Sequence, residues 1–245
     1  MIQIDKSKTP IPTILTTGGK GNKATQVLIQ AAQQGQIQFD FDAAIYAHPT
    51  VKTAMIGLQN GKCCFCQGMV TDTSYGDIEH FRPKGGYRQT EDQPLQKPGY
   101  YWLAYDFSNL FFACQKCNEV YKRNYFPLAD ESKRASSSVQ DYRKEDSLIL
   151  HPEWDNPEKH ITFVGEMVKA KDDSVKGVET IKRTGLNRIE LDESRLEQLK
   201  PLMILALIAR SSDAFAPVAR KHFKEIGQPG RIFSAMVRAN FPDLV

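Results

Sequence analysis

The sequence is poor in the features that would place it in a membrane, a solenoid or a disordered tail. Its longest unbroken apolar stretch, Leu202 to Ala209, falls far short of the roughly 20 residues of a membrane-spanning helix, and the amino terminus, MIQIDKSKTP, has no apolar signal region. A cytoplasmic protein with no membrane partner is therefore expected. No motif recurs at a fixed period, which excludes a repeat architecture. Excess charge of one sign is also scarce. Lys and Arg number 32 against 29 Asp and Glu, and the net +3 is too small to draw the whole molecule to nucleic acid, so any basic face must be local. The Gly-Lys cluster TTGGKGNK lacks the G-x-x-x-x-G-K-[ST] spacing of a phosphate loop and reads as a flexible turn. What remains is ordinary globular composition, 245 residues with 41% hydrophobic and 25% charged, enough for one or two domains.

Cysteine is the informative residue. Four of the five fall into Cys63-x-x-Cys66 and Cys114-x-x-Cys117, with residues 67–113 between the pairs. Without a secretory signal this pattern reads as a metal site before a pair of disulfides, and four thiolates suit structural zinc. Cys64 is left over and reads as a small buried residue beside the knuckle.

Four regions follow along the chain. Residues 1–60 read as a helical N-terminal segment, with helix patterns over Ala24 to Gln34 and Val51 to Gln59. Residues 61–128 form the aromatic, cysteine-bearing module. Residues 129–147, ADESKRASSSVQDYRKEDS, have scarcely an apolar side chain and read as a polar linker or surface loop. Residues 148–245 read as a mixed, mostly helical accessory region: short strands at Leu148–Leu150, Ile161–Val164 and Met167–Ala170, then a helix capped by Asp192, kinked at Pro201 and apolar along Leu196, Leu199, Met203, Ile204 and Leu207. The fold class expected is α+β.

Between the cysteine pairs lie Asp77-Ile78-Glu79-His80-Phe81-Arg82-Pro83-Lys84, and Asn118 follows the last cysteine with Lys122 one turn on. Glu79 offers a hard oxygen ligand next to an imidazole whose ordinary pKa, roughly 6.5, is near working pH. Neighbouring strand side chains point to opposite faces, so the two can serve one substrate only where the strand ends, and Pro83 supplies that ending. A carboxylate, an amide oxygen and water suit Mg²⁺ or Mn²⁺, not zinc, so two metals with two jobs are expected. Arg82, Lys84, Lys116, Lys122 and Arg123 surround this set and would hold phosphates by charge without reading sequence. Tyr100, Tyr101, Trp102, Tyr105, Phe107, Phe111 and Phe112 read as packing rather than as base-stacking platforms.

The order Cys-x-x-Cys, Glu-His, Asn, Cys-x-x-Cys-Asn-x-x-x-Lys resembles the HNH endonucleases, whose ββα-metal module carries a zinc knuckle in many members. IEHFRPK, YYWLAYDFSNLFFACQKCN, LILHPEWDNPEKHITF and KGVETIKRTGLNR resemble one subgroup, the HNH proteins encoded beside an ATPase in Septu antiphage systems and certain retrons. The resemblance implies a catalytic set of Glu79, His80, Asn109 and Asn118: His80 as general base, Glu79 and Asn118 as ligands of a catalytic Mg²⁺ or Mn²⁺, and Asn109 as the brace of the histidine loop. It also implies zinc on Cys63, Cys66, Cys114 and Cys117. Glu79 stands where Asp is commoner, which lengthens the ligand arm, and Asn118 stands where the family name has His. His151 occupies a position where the subgroup is expected to have Asn, and it receives no role. The implied function is hydrolysis of nucleic-acid phosphodiesters, DNA ahead of RNA, as the effector of a defence complex with an ATPase. The competing class is a zinc-containing adaptor that binds nucleic acid or an ATPase and cuts nothing; such a protein has no need of Glu79, His80 and Asn118 together.

Overall fold

Two short antiparallel strand pairs, seven α-helices, one π-helix and short 3-10 turns make up the chain, described over residues 1–245 by a computed structural model. β1 (Asp77–His80) pairs with β2 (Leu110–Ala113), Asp77 opposite Ala113 and His80 opposite Leu110. β2 is buried at every position, and Phe111 and Phe112 are wholly excluded from solvent. The chain then enters a π-helical segment, Lys116–Lys122, that begins inside the second cysteine pair. π-helices are rare and concentrate at functional sites. Together, β1, β2 and this helix have the order of a ββα unit.

N-terminal to it are α1 (Lys20–Gln33), α2 (Ala43–Tyr46) and α3 (Pro49–Gln59). α1 starts four residues earlier than its apolar pattern indicates, so the Gly-rich segment is a turn over residues 16–19, with Gly18 at φ 80°, and helix from Lys20 on. Gly19 caps α1 and Gly21 lies in its first turn, where a Cβ would stand 3.0 Å from Leu15 and 3.2 Å from the Tyr105 Cβ. Those glycines let the helix approach the module closely.

Residues 129–147 fold back on the module instead of leaving it. Ala129 N–H donates to Asp146 O, Leu148 N–H donates to Pro127 O, and Arg134 donates to the Tyr100 hydroxyl (2.9 Å) and to Phe126 O (3.0 Å). Glu145 accepts from Arg82 Nε at 2.8 Å and from the Tyr100 hydroxyl at 2.7 Å. Most of this strap is exposed, as a polar surface loop is, and Arg134, Ala135, Glu145 and Ser147 are its buried anchors.

Beyond the strap, Leu148–Leu150 is not a strand, with Leu148 half-buried and Ile149 and Leu150 buried; its Leu150 N–H is taken by Thr180 Oγ1. β3 (Ile161–Val164) and β4 (Met167–Ala170) form the second strand pair, a hairpin, with the bounds read from the sequence. α4 (Val175–Thr184), α5 (Ile189–Arg210), α6 (Ala216–Ile226) and α7 (Ser234–Asn240) follow. α5 begins at Ile189, so Asp192 lies in its first turn and holds Arg195 rather than capping, and the helix runs through Pro201. Its inward stripe is Leu191, Arg195, Leu199, Leu202, Ala206 and Ala209, while Met203, Ile204 and Leu207 face solvent. Arg195 explains the displaced face. It occupies the core, 1% exposed, donating to Leu186 O and Asp192 with its guanidinium over the Phe163 and Phe233 rings. One contiguous cluster of buried apolar residues runs from Met1 to Leu244. No helix is long and apolar enough to cross a membrane.

Candidate active site and metal centre

The four cysteines converge although residues 67–113 separate the pairs. Their sulfurs all lie within 4.8 Å of one another, and Cys66 Sγ is 3.9 Å from Cys114 Sγ. Zn–S bonds of about 2.3 Å place tetrahedral sulfurs about 3.8 Å apart, so the donor set and its spacing fit zinc. None of the five cysteines is in a disulfide, and Cys64 is buried. Backbone N–H groups of Gly68 and Cys117 point at Cys66 and Cys114 Sγ. Arg188, at the start of α5, donates to Cys117 Sγ at 3.4 Å and reaches Cys114 Sγ at 3.9 Å. A cation beside a dianionic four-thiolate centre is electrostatically apt. Sequence reasoning gave Arg188 no part, because nothing local ties it to cysteines far upstream.

A pocket of about 510 Å³ opens where β1 meets the π-helix, lined by Asp77, Glu79, His80, Lys84, Asn118 and Arg123 together with Phe41, Tyr46 and Lys52 from the N-terminal segment. Two larger clefts, about 560 and 710 Å³, lie against the irregular first fifteen residues and hold none of Glu79, His80 or Asn118.

His80 Nε2 is 2.9 Å from Ala104 O. A carbonyl only accepts, so Nε2 carries the proton and the neutral ring keeps its lone pair on Nδ1. Nδ1 sits 3.3 Å from Lys84 Nζ. Burial, reinforced by the Lys84 charge, holds the imidazole well below its usual range, so it is neutral near pH 7. The Tyr46 ring packs edge-on at 4.7 Å between centroids and limits the ring's rotation.

Glu79 is 3% exposed and pairs with the fully buried Lys122 at 2.5 Å. Burial raises its pKa and the Lys122 ammonium opposes the rise. Asn118 donates its Nδ2–H to Asp77 Oδ2 at 3.1 Å, leaving Oδ1 unengaged. Asn109 is buried. Its Oδ1 accepts from Arg82 N–H (2.8 Å) and its Nδ2 donates to Arg82 O (3.0 Å) and Leu103 O (3.2 Å), joining the segment after His80 to the turn that presents Ala104 O.

Of the basic residues expected near phosphates, Lys84 and Arg123 line the pocket. Arg82 does not: it is 2% exposed, paired with Glu145 and boxed by the Phe126, Tyr142 and Trp154 rings, so it cannot reach a phosphate. Lys122 is likewise committed inside the protein, and Lys116 is exposed but pairs with Glu190 away from the pocket. The seven aromatics are buried and serve as packing. Sequence reasoning missed Asp77, Tyr46 and Lys52. Asp77 was discoverable from its period-two spacing with Glu79; Tyr46 and Lys52 lie in a distant segment with no such signal.

No family model matches the chain. It is 36% identical over 204 residues to the Septu protein PtuB of Bacillus mycoides (strain KBAB4), which spans 82% of this chain and 68% of that protein. The chain belongs to the Septu PtuB family. A Septu protein PtuB of Bacillus thuringiensis is 24% identical over 170 residues, 69% of this chain and 53% of its own. The Septu protein PtuA of Bacillus mycoides is 31% identical over 139 residues, 56% of this chain but 19% of that longer protein.

Proposed function

We propose that this PtuB family member is a metal-dependent HNH endonuclease that hydrolyses phosphodiester bonds of nucleic acid, acting as the effector of Septu antiphage defence beside an ATPase subunit. The observation that carries the reading is the state of His80: a neutral imidazole, its Nε2–H fixed on Ala104 O, its Nδ1 lone pair in the same pocket as a carboxylate and an amide oxygen. An adaptor has no use for that tautomer lock.

The oxygen donors Glu79 and Asn118 fit a hard divalent cation, and when bound there Mg²⁺ or Mn²⁺ supplies Lewis-acid charge at the scissile phosphate. The chain's own groups do the rest. An incoming phosphate attracts the Lys84 ammonium away from Nδ1, which frees the lone pair for the proton of a water attacking in line. Arg123 and Lys52 hold neighbouring phosphates by charge alone, which gives affinity without sequence preference. Asn109 keeps the Ala104 carbonyl where the imidazole needs it. The four-thiolate centre has no open position and serves structure.

The test is His80→Ala assayed with the ATPase subunit present on plasmid DNA, single-stranded DNA and tRNA. Cleavage falls about 10²- to 10⁴-fold while nucleic-acid binding is kept. A variant that cuts every substrate as well as the wild type refutes the nuclease reading in favour of the adaptor.

A further inference from the structure

Asp77 has no part in the chemistry proposed above, yet it stands in the same pocket. It shares a face of β1 with Glu79, two residues on, and the two carboxylates meet two side chains one helical turn apart: Asp77 meets Asn118, and Glu79 meets Lys122. The Asp77–Asn118 bond is chemically directional. An amide nitrogen only donates and an amide oxygen only accepts, so a carboxylate that takes Nδ2–H decides which end of Asn118 is left over. Asp77 lies on the strand side of that amide, and Asn118 Oδ1 has no hydrogen-bond partner in the protein. Without Asp77 the amide can turn over and present N–H groups, which repel a cation.

We propose that Asp77 is a positioning residue that holds the Asn118 amide with Oδ1 toward the divalent cation. This rests on the nuclease reading for the cation, and on the hydrogen bond alone for the amide. Asp77 touches no reacting atom, so it acts through Asn118.

The test uses the full zinc-loaded chain as wild type, Asp77→Ala, Asp77→Asn, Asn118→Ala and the double variant Asp77→Ala/Asn118→Ala. Two readouts are Mn²⁺ affinity, from the paramagnetic resonance of free Mn²⁺, and the side-chain amide signal of Asn118 in ¹⁵N-labelled protein, assigned by its loss in Asn118→Ala. Asp77→Ala should weaken Mn²⁺ binding about 10- to 100-fold, as loss of an outer partner of a metal ligand does. Asp77→Asn, whose amide oxygen can accept the same Nδ2–H, should lose well under 10-fold. The double variant should bind no more weakly than Asn118→Ala, and the Asn118 signal should shift in Asp77→Ala and stay in Asp77→Asn. Asp77→Asn falling as far as Asp77→Ala overturns the proposal, because Asp77 would then act by charge or as a ligand itself. So does an Asn118 signal unmoved by Asp77→Ala, or a double variant worse than the single one. Failure of the nuclease reading looks different: His80→Ala leaves cleavage untouched, whatever these amide signals do.

Discussion

Glu145→Ala is the sharpest probe of how the strap and the site depend on one another. The Glu145 carboxylate is wholly buried, and its loss strands the Arg82 guanidinium, 2% exposed, without a counter-ion. Breaking a buried pair from one side costs roughly 3–5 kcal/mol. The Phe126, Tyr142 and Trp154 rings around Arg82, whose centroids lie 4.9–5.3 Å from its guanidinium carbon, hold the cation partly and favour the lower figure. Ala135 N–H, which donates to Glu145 Oε1 at 2.9 Å, adds about 1 kcal/mol as an unpaired donor. The Tyr100 hydroxyl, which donates to Glu145 and only accepts from Arg134, is stranded as a second unpaired donor and adds about 1 kcal/mol more. The sum is about 5 kcal/mol, which for a chain of this length lowers the unfolding midpoint by roughly 10–20 °C. Circular dichroism melts of the zinc-loaded chain measure it. Adding Arg82→Met should restore part of the loss, through a coupling of about 0.5–3 kcal/mol. A midpoint that falls by under about 3 °C would mean that Glu145 does not anchor residues 129–147 to the module.

Two further perturbations follow from the same structure. Cys117→Ser, or exhaustive chelation, should take zinc from one per chain to well under one by elemental analysis and abolish cooperative unfolding of residues 61–128, since four-thiolate zinc sites supply on the order of 10 kcal/mol of folding free energy; a metal-free chain that stays folded contradicts the assignment. His151 is 3% exposed and burial, with Arg82 nearby, lowers its pKa to about 2. The unfolded chain binds that proton below roughly pH 6.5 and the folded chain does not, so stability is full above that pH and falls as the pH drops. Between pH 7 and 5 the loss from this residue is about 2 kcal/mol, and His151→Gln should flatten the pH dependence of the melting midpoint by that much; an unchanged slope would show that the ring protonates in the folded state.

What could be read in advance was local. Cys-x-x-Cys spacing is a property of one turn, and ITFV-GE-MVKA carries its own alternation and a glycine at φ 61° for the turn, so the knuckle and the second hairpin were legible. What escaped was set by groups that break the rule that polar means outside. Arg195 takes a core position on α5, with Met203, Ile204 and Leu207 outward; Arg134 and Glu145 are buried anchors in a loop otherwise exposed as its composition indicates. Glu79, His80 and Asn118 were named from their order in the chain, but their pairing with Lys122, Ala104 O and Asp77 depends on how strand and π-helix meet, which no spacing encodes. The N-terminal wall of the pocket, Phe41, Tyr46 and Lys52, is a tertiary fact of the same kind.

The reach of Arg188 to two sulfurs makes the knuckle and the start of α5 one thermodynamic unit. Linkage is reciprocal: whatever holds that helix end in place would tighten the grip on a metal bound there by the same free energy with which that metal would steady the helix. Ile189, 74% exposed, is the next residue in the chain. A macromolecule that grasped α5 at that point would thus be felt at the sulfurs, and loss of the ion would be felt at the outer surface of the C-terminal region.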